Sequence, residues 1–327
     1  MFDIRTKASF LLIVALIICT LHLKAQISPL YPEHVNYLQF INPAMTGSDK
    51  FPIVNLSYKQ YWIGTENAPG TACISGSMRL GALDFYGAKG MMNKTGFFSK
   101  GRMGFGSMLM RETDGPLNST FFTANYAYFI PMNSSNTELS LGLSFQFMYY
   151  SIDQSILDPF DQGDPVLTSG NAQHIVPESG FGAYFHNSQF NIGASVNDLL
   201  LTNIPYSSGT IAPNKRDFFL HSGYKFFLKW FDLEPSIYMA QIDEKPFYYY
   251  GILKLYYKDY NWIAVSYKST QSILASIGLT VHRLYFTYTF EHSISQMGTY
   301  FGSSHELMLG INVGPYERPT IRKHRSF

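Results

Sequence analysis

A period-two alternation constrains this chain more than any other feature. Between Thr137 and Asp153, Leu139, Leu141, Leu143, Phe145, Phe147 and Tyr149 alternate with Ser140, Gly142, Ser144, Gln146, Met148 and Tyr150. Successive side chains of a strand point to opposite faces. One face of this segment is therefore apolar and the other small or polar. Similar segments recur almost to the C-terminus, which is the pattern of an outer-membrane β-barrel.

The alternation predicts strands over 52–63, 70–81, 102–111, 120–130, 137–151, 179–186, 189–197, 217–228, 232–241, 247–258, 261–268, 271–281, 283–291 and 303–313. Most have about 9–12 residues, the length a tilted strand needs to cross a bilayer. The apolar faces read Val54, Leu56, Tyr58, Trp62; Phe190, Ile192, Ala194, Val196; and Leu284, Phe286, Tyr288, Phe290. The opposite faces carry Asn191, Gly193, Ser195, Asn197 and Thr287, Thr289, Glu291. Three segments, 102–111, 217–228 and 247–258, alternate less cleanly, so the count lies between about twelve and sixteen strands. The fold class is all-β: a transmembrane antiparallel barrel of about fourteen strands. A closed barrel is required because lipid cannot satisfy open sheet edges.

Connection lengths support this. Short turns fall at Pro131–Asn136, His186–Ser188, Trp230, Lys258–Tyr260 and His282. Long loops fall at Glu112–Asn118, Ile152–Pro177, Asp198–Arg216 and His292–Phe301. Barrels of this kind have short periplasmic turns and longer outer loops. With both termini periplasmic, all of those long loops lie outside. The exception is Gly81–Gly101, a long segment on the periplasmic side: a plain loop, or a short helix or partner-binding insertion.

Composition agrees. Charged residues are 14% of the chain, against roughly 25% in soluble domains. Aromatics are 17%, with Tyr58, Trp62, Tyr126, Tyr128, Tyr149 and Tyr257 candidates for the interfacial girdle. A soluble β-sandwich would also alternate, but its polar face would carry Lys, Glu and Arg. Here that face is rich in Ser, Gly, Asn and Thr, with charge concentrated in the connections. The net charge of +1 argues against a nucleic-acid partner.

Residues 1–25 read as a signal peptide: Arg5 and Lys7, an apolar run Phe10–Leu21, and small Ala25 before Gln26. An uncleaved anchor is the alternative. Cys19 lacks the small residues expected before a lipidated cysteine. Cleavage would leave one cysteine, Cys73, and so no internal disulfide. The remaining units are 26–50, an irregular segment that plugs or caps the periplasmic mouth; 51–313, the barrel; and 314–327, a basic periplasmic tail. The plug follows from the lumen: a barrel of about fourteen strands is wide, and small polar inner residues would leave it leaky. The tail carries Arg318, Arg322, Lys323, His324 and Arg325. It is either a solvated tail or a docking element for an acidic periplasmic subunit.

Catalytic signatures are absent: no G-x-S-x-G elbow, P-loop, H-E-x-x-H or complete G-x-G-x-x-G occurs. His221 and Ser222 are adjacent in one strand and would face opposite sides. Asp158, Asp161 and Asp164 could hold Ca²⁺ but lack the EF-hand register and suit a polar turn. No enzyme activity, metal or cofactor is expected.

Ordered motifs then point to a family. Ile41-Asn42-Pro43-Ala44-Met45-Thr46-Gly47-Ser48 is followed by Tyr58-Lys59-Gln60-Tyr61-Trp62-Ile63-Gly64 and Ala68-Pro69-Gly70-Thr71. Further on come Gly104-Phe105-Gly106, Asp114-Gly115-Pro116, Tyr126–Pro131, Leu139–Phe145, Gly180-Phe181-Gly182 and Ile192–Val196. In this order they resemble the PorP/SprF family of Bacteroidota outer-membrane proteins over nearly the whole mature chain. Lys59, Tyr61 and Met45 depart from the family's usual residues, and Glu112-Thr113 intervene before Asp114-Gly115. The signature residues are Asn42, Pro43, Ala44, Gly47, Trp62, Gly64, Pro69, Asp114 and Gly115, structural or partner-contacting.

The resemblance implies a role in the type IX secretion system and gliding motility. Its partners would be periplasmic ring or lipoprotein components and an exported adhesin with a type B C-terminal signal, beside membrane lipid. Arg318, Arg322, Lys323 and Arg325 would be the docking tail. The alternative function is an outer-membrane solute channel or hydrophobic-compound transporter.

Overall fold

The structure, a computed structural model, describes residues 38–49, 52–80, 102–132, 137–153, 174–202, 205–206, 209–210, 215–242, 247–257 and 261–313. Fourteen long strands among them form the wall. They are β1 (Ile53–Gln60), β2 (Gly70–Arg79), β3 (Met103–Asp114), β4 (Leu117–Pro131), β5 (Glu138–Ile152), β6 (His174–His186) and β7 (Phe190–Asn197). The second half is β8 (Asp217–Tyr224), β9 (Asp232–Gln241), β10 (Tyr248–Tyr257), β11 (Asn261–Lys268), β12 (Ser272–Val281), β13 (Leu284–Ser293) and β14 (Ser304–Asn312). Each pairs antiparallel with the next, and β14 returns to pair with β1, from Ile53 opposite Asn312 to Gln60 opposite His305. No barrel edge is left open, as a lipid environment demands.

The alternation decides which way each face points. In β1 Val54, Leu56 and Tyr58 are exposed, while Asn55, Ser57 and Lys59 are buried. In β5 Leu141, Leu143, Phe145 and Phe147 face out, whereas Ser140 and Gly142 are buried. Tyr58, Tyr149 and Tyr257 are exposed on the outside. Among the described residues, no helix is long and apolar enough to cross a membrane.

Several expected boundaries move. The segment Glu112–Asn118 is no long loop: Thr113 pairs with Asn118 and Asp114 with Leu117, leaving a turn at Gly115-Pro116. Gly115 takes a positive φ of 56°, a conformation that glycine adopts without a β-carbon penalty. β6 starts at His174 rather than 179, and Pro177 pairs with Phe147. There β5 is the one strand that pairs with β6, since β7 joins at Phe181, and the irregular segment Leu199–Thr202 lies along the other edge. A strand edge is where a residue without an N–H is tolerated. β1 stops at Gln60, and Trp62, expected on the strand's apolar face and in the interfacial girdle, lies beyond it at φ 45°. β8 breaks at Lys225, after which Phe226 and Phe227 pair briefly with Leu233 and Asp232 of β9.

The inner face also differs from expectation. It is neither uniformly small nor free of charge. Cys73, Met108, Met110, Phe121 and Met308 form a buried cluster there, with Phe40 and Met148 against it. Charged residues point inward near both rims, as the site description shows.

Candidate functional site

The described part of the N-terminal segment lies against the inner wall. Leu38–Ile41 makes one helical turn, α1, and Pro43–Met45 a 3-10 turn. Asn42 joins them: its Oδ1 accepts from the Ala44 N–H at 3.0 Å. That is the capping bond a short-chain amide makes at a helix start. Pro43 follows with its φ preset for a first helical position. Gly47, at φ 76°, turns the chain away.

The wall provides a trough for this element. Gly104 pairs with Ala127, Ala127 with Gly142, Gly142 with Gly182, and Gly182 with Ser195. These five form one cross-strand row over β3 to β7. A β-carbon on Gly142 would collide with Pro43 and Ala44, one on Gly182 with Asn42, and one on Gly104 with Thr46. One on Gly47 would come within 2.8 Å of the Gly104 Cα. The glycines thus allow backbone to lie on backbone, the use to which strand glycines are put at a close approach.

Hydrogen bonds fix the register. Asn42 Nδ2 donates to the Ala183 carbonyl at 3.0 Å and is 3.4 Å from that of Ala194. Ser140 Oγ donates to the Ala44 carbonyl at 2.7 Å, Ser195 Oγ to Ile41 at 2.6 Å, and Asn125 Nδ2 to Gln39 at 2.7 Å. Asn42 and Ala44 are 0% exposed. Neutral bonds of this kind contribute about 1 kcal/mol each, and leaving a buried partner unmade costs more.

Two ionic clusters lie at the two rims. At the short-turn rim Arg79 makes a bidentate pair with Glu138, at 2.8 and 2.7 Å, and its guanidinium sits 3.9 Å over the Phe129 ring. This bridge joins β2 to β5, crossing β4 over Phe129. At the loop rim Glu291 accepts from Lys59 at 3.0 Å and Lys268 at 2.7 Å. The Lys268 side chain is 0% exposed.

The signature residues divide among three places rather than forming one site. Asn42, Pro43, Ala44 and Gly47 are in the trough. Trp62, Gly64 and Pro69 shape the first connection at the loop rim. Trp62 stacks on Phe301 at 4.9 Å, and the Ile63 N–H donates to the Ser303 carbonyl at 3.0 Å, so this loop seals the β1–β14 seam. The Pro69 carbonyl accepts from the Tyr61 N–H and from Gln60 Nε2, both at 3.0 Å. Asp114 and Gly115 form the β3–β4 turn. His221 is buried inside and its neighbour Ser222 faces away, as their adjacency implies. Among the described residues no His, Cys, Asp or Glu group could hold a metal ion. The remaining expectations, on residues 26–37, 81–101, Asp158, Asp161, Asp164 and the tail from Arg318 to Arg325, lie outside the described residues.

Sequence reasoning missed the Arg79–Glu138 and Lys59–Glu291–Lys268 groups. Each member looks like an ordinary charge near a strand end. The available signal was inward parity within its strand.

A closed wall with an apolar outer band, a partly polar lumen and a segment docked inside defines a transmembrane β-barrel of the outer-membrane type. The chain belongs to the family of type IX secretion system membrane proteins PorP/SprF, whose model matches residues 23–311. No curated protein is significantly similar to it. Among solved structures, the outer membrane protein Omp33 of Acinetobacter baumannii is similar at 6% identity and a TM-score of 0.46, over 79% of this chain and 97% of that one. The CymD monoaromatic hydrocarbon channel is similar at 9% identity and a TM-score of 0.48, over 85% and 93%. A mutant of the Rh. blastica porin is similar at 9% identity and a TM-score of 0.34, over 80% and 98%.

Proposed function

We propose that this protein is a non-catalytic outer-membrane component of the type IX secretion system that supports export or surface attachment of a secreted protein. The family match over residues 23–311 carries this reading. The exported partner is an adhesin with a type B C-terminal signal, and the periplasmic partners are ring or lipoprotein components. Both termini are periplasmic: the wall has an even number of strands, and the long connections other than 81–101 share one rim. The basic tail with Arg318, Arg322, Lys323 and Arg325 docks on an acidic periplasmic subunit. The N-terminal segment plugs the lumen: residues 38–49 are held by side chains of β4, β5 and β7 and by a backbone carbonyl of β6.

Deleting the gene and probing the cell surface tests the reading. Loss of one adhesin from the surface, with co-purification of a periplasmic ring or lipoprotein component, is the expected outcome. Unchanged surface display together with no co-purifying component would end it.

A cavity left beside the docked segment favours a second reading, a solute channel. That reading expects a stable open conductance in planar bilayers, whereas a plugged accessory barrel stays closed.

A further inference from the structure

Among the described residues, the segment 38–49 lies on β3 to β7 and leaves the opposite half of the lumen partly open. A cavity of about 380 Å³ remains there, between this segment and β10 to β14 with β1. Ile53 and Asn312, at the short-turn ends of β1 and β14, line it, so it sits toward that rim. Its size is at the lower end of small-ligand sites, which run from about 300 to 1,000 Å³.

Glycines shape this side too, in a different way. Trp262 pairs directly with Gly278, and Tyr285 with Gly310. A β-carbon on either glycine would collide with the partner ring. Both rings therefore lie flat along the wall instead of standing into the lumen. They make two apolar surfaces of the cavity, and Leu38, Met45 and Met308 add more.

Two opposite charges also line it. Lys254 Nζ lies 4.4 Å from the Trp262 ring centroid. Its direct cross-strand partner is Glu234, whose charge acts on it electrostatically, but no hydrogen bond or ion pair within 4.0 Å joins Lys254 to another described residue. Asp49, at the far end of the docked segment, lines the same cavity and likewise has no such partner among the described residues. Lys254 and Asp49 are not paired with each other. An ammonium and a carboxylate on one cavity, lined also by two flat rings, complement a ligand bearing the reverse charges and an apolar body.

We propose that this cavity binds a small apolar zwitterion, an amino acid or short peptide, with its carboxylate on Lys254 and its ammonium on Asp49. The site is independent of the secretion role. A ligand-filled cavity fits an accessory barrel as well as a channel.

The test is calorimetric titration of the full purified protein in detergent with Leu-Leu, free leucine, N-acetyl-Leu-Leu and Leu-Leu-amide. Leu-Leu or leucine should bind, and whichever binds more tightly identifies the ligand as peptide or amino acid. Lys254→Met and Asp49→Asn should each weaken that binding at least tenfold. N-acetylation should remove the sensitivity to Asp49→Asn, and amidation the sensitivity to Lys254→Met. The blocked ligands act on the unmodified protein, so they decide the matter even if a variant fails to fold. Blocked and free peptides binding equally well, or none binding at millimolar concentration, would overturn the proposal.

Discussion

Gly142 of β5 lies directly beneath Ala44, so close that no β-carbon fits between them. The contact makes a wall glycine the seat of an N-terminal residue almost a hundred positions earlier. Gly142→Ala is expected to push residues 38–49 off the wall. Gly251→Ala is the control, because a β-carbon there meets nothing within 4 Å. Hydrogen–deuterium exchange should rise over 38–49 in the first variant only. Equal protection in both would show that the trough does not depend on the glycine.

Asn42 ties the segment together and to the wall. It caps the 3-10 turn and donates to Ala183. Asn42→Ala removes both bonds and leaves the buried Ala44 N–H without its acceptor. The docked state should lose about 2–3 kcal/mol, at roughly 1 kcal/mol per bond plus the unmet donor. Protease cutting within residues 38–49 should accelerate some 30- to 150-fold, while the barrel's heat-modifiable gel mobility stays unchanged. An unaltered cutting rate contradicts the assignment.

Glu291 is the single carboxylate between Lys59 and Lys268 in the buried ion triad. Glu291→Gln removes the carboxylate that bridges the two ammonium groups. Breaking a buried pair in this way costs about 3–5 kcal/mol. The midpoint of urea unfolding in detergent should fall clearly. Replacing all three together, Lys59→Met, Lys268→Met and Glu291→Leu, should recover part of it, because the triad's own charges are then removed together. A single variant as stable as the parent would argue that water reaches the triad freely.

Trp62 stacks on Phe301 across the β1–β14 seam. Trp62→Ala should cost about 1 kcal/mol beyond lost burial, the usual worth of an aromatic pair. The loss is local. Amides of residues 61–69 and 294–303 should exchange faster, and the global unfolding midpoint should hardly move.

Arg79→Lys keeps the charge at the short-turn rim but cannot reproduce the two-pronged contact with Glu138. Both side chains are about one-fifth exposed, 22% and 20%, so solvent screens the pair. A loss of about 1 kcal/mol or less is expected. A larger fall in thermal midpoint would mean that the bridge supports the docked segment as well.

The wall was legible because its physics is local. Alternation along one strand states which face meets lipid, and fourteen such segments state that the sheet must close. Val54, Leu56 and Tyr58 face outward as their period requires. The limits of local reading show at Asp114-Gly115, where strand pairing runs to the turn and removes a loop, and at Trp62, where the chain has already left its strand at Gln60, three residues before the expected end.

The candidate site was legible only as separate motifs. Gly104, Gly142, Gly182 and Gly193 each look like a small residue on a polar face. Their meaning arises from register, which places the first three in one row beside Ala127 and Ser195. Register is a property of strand pairs, and a single strand's pattern repeats every two residues whichever neighbour it meets.

The sequence by itself therefore determined a closed apolar-faced barrel and the motifs of its family, since both rest on side-chain type and spacing along the chain. Only the tertiary structure decided that Asn42-Pro43-Ala44 sits on the glycine row, that Arg79 reaches Glu138, and that Trp262 and Tyr285 lie flat over Gly278 and Gly310. Those relationships join residues tens to well over a hundred positions apart, or depend on which strands become neighbours, and only closing the barrel brings them within contact distance.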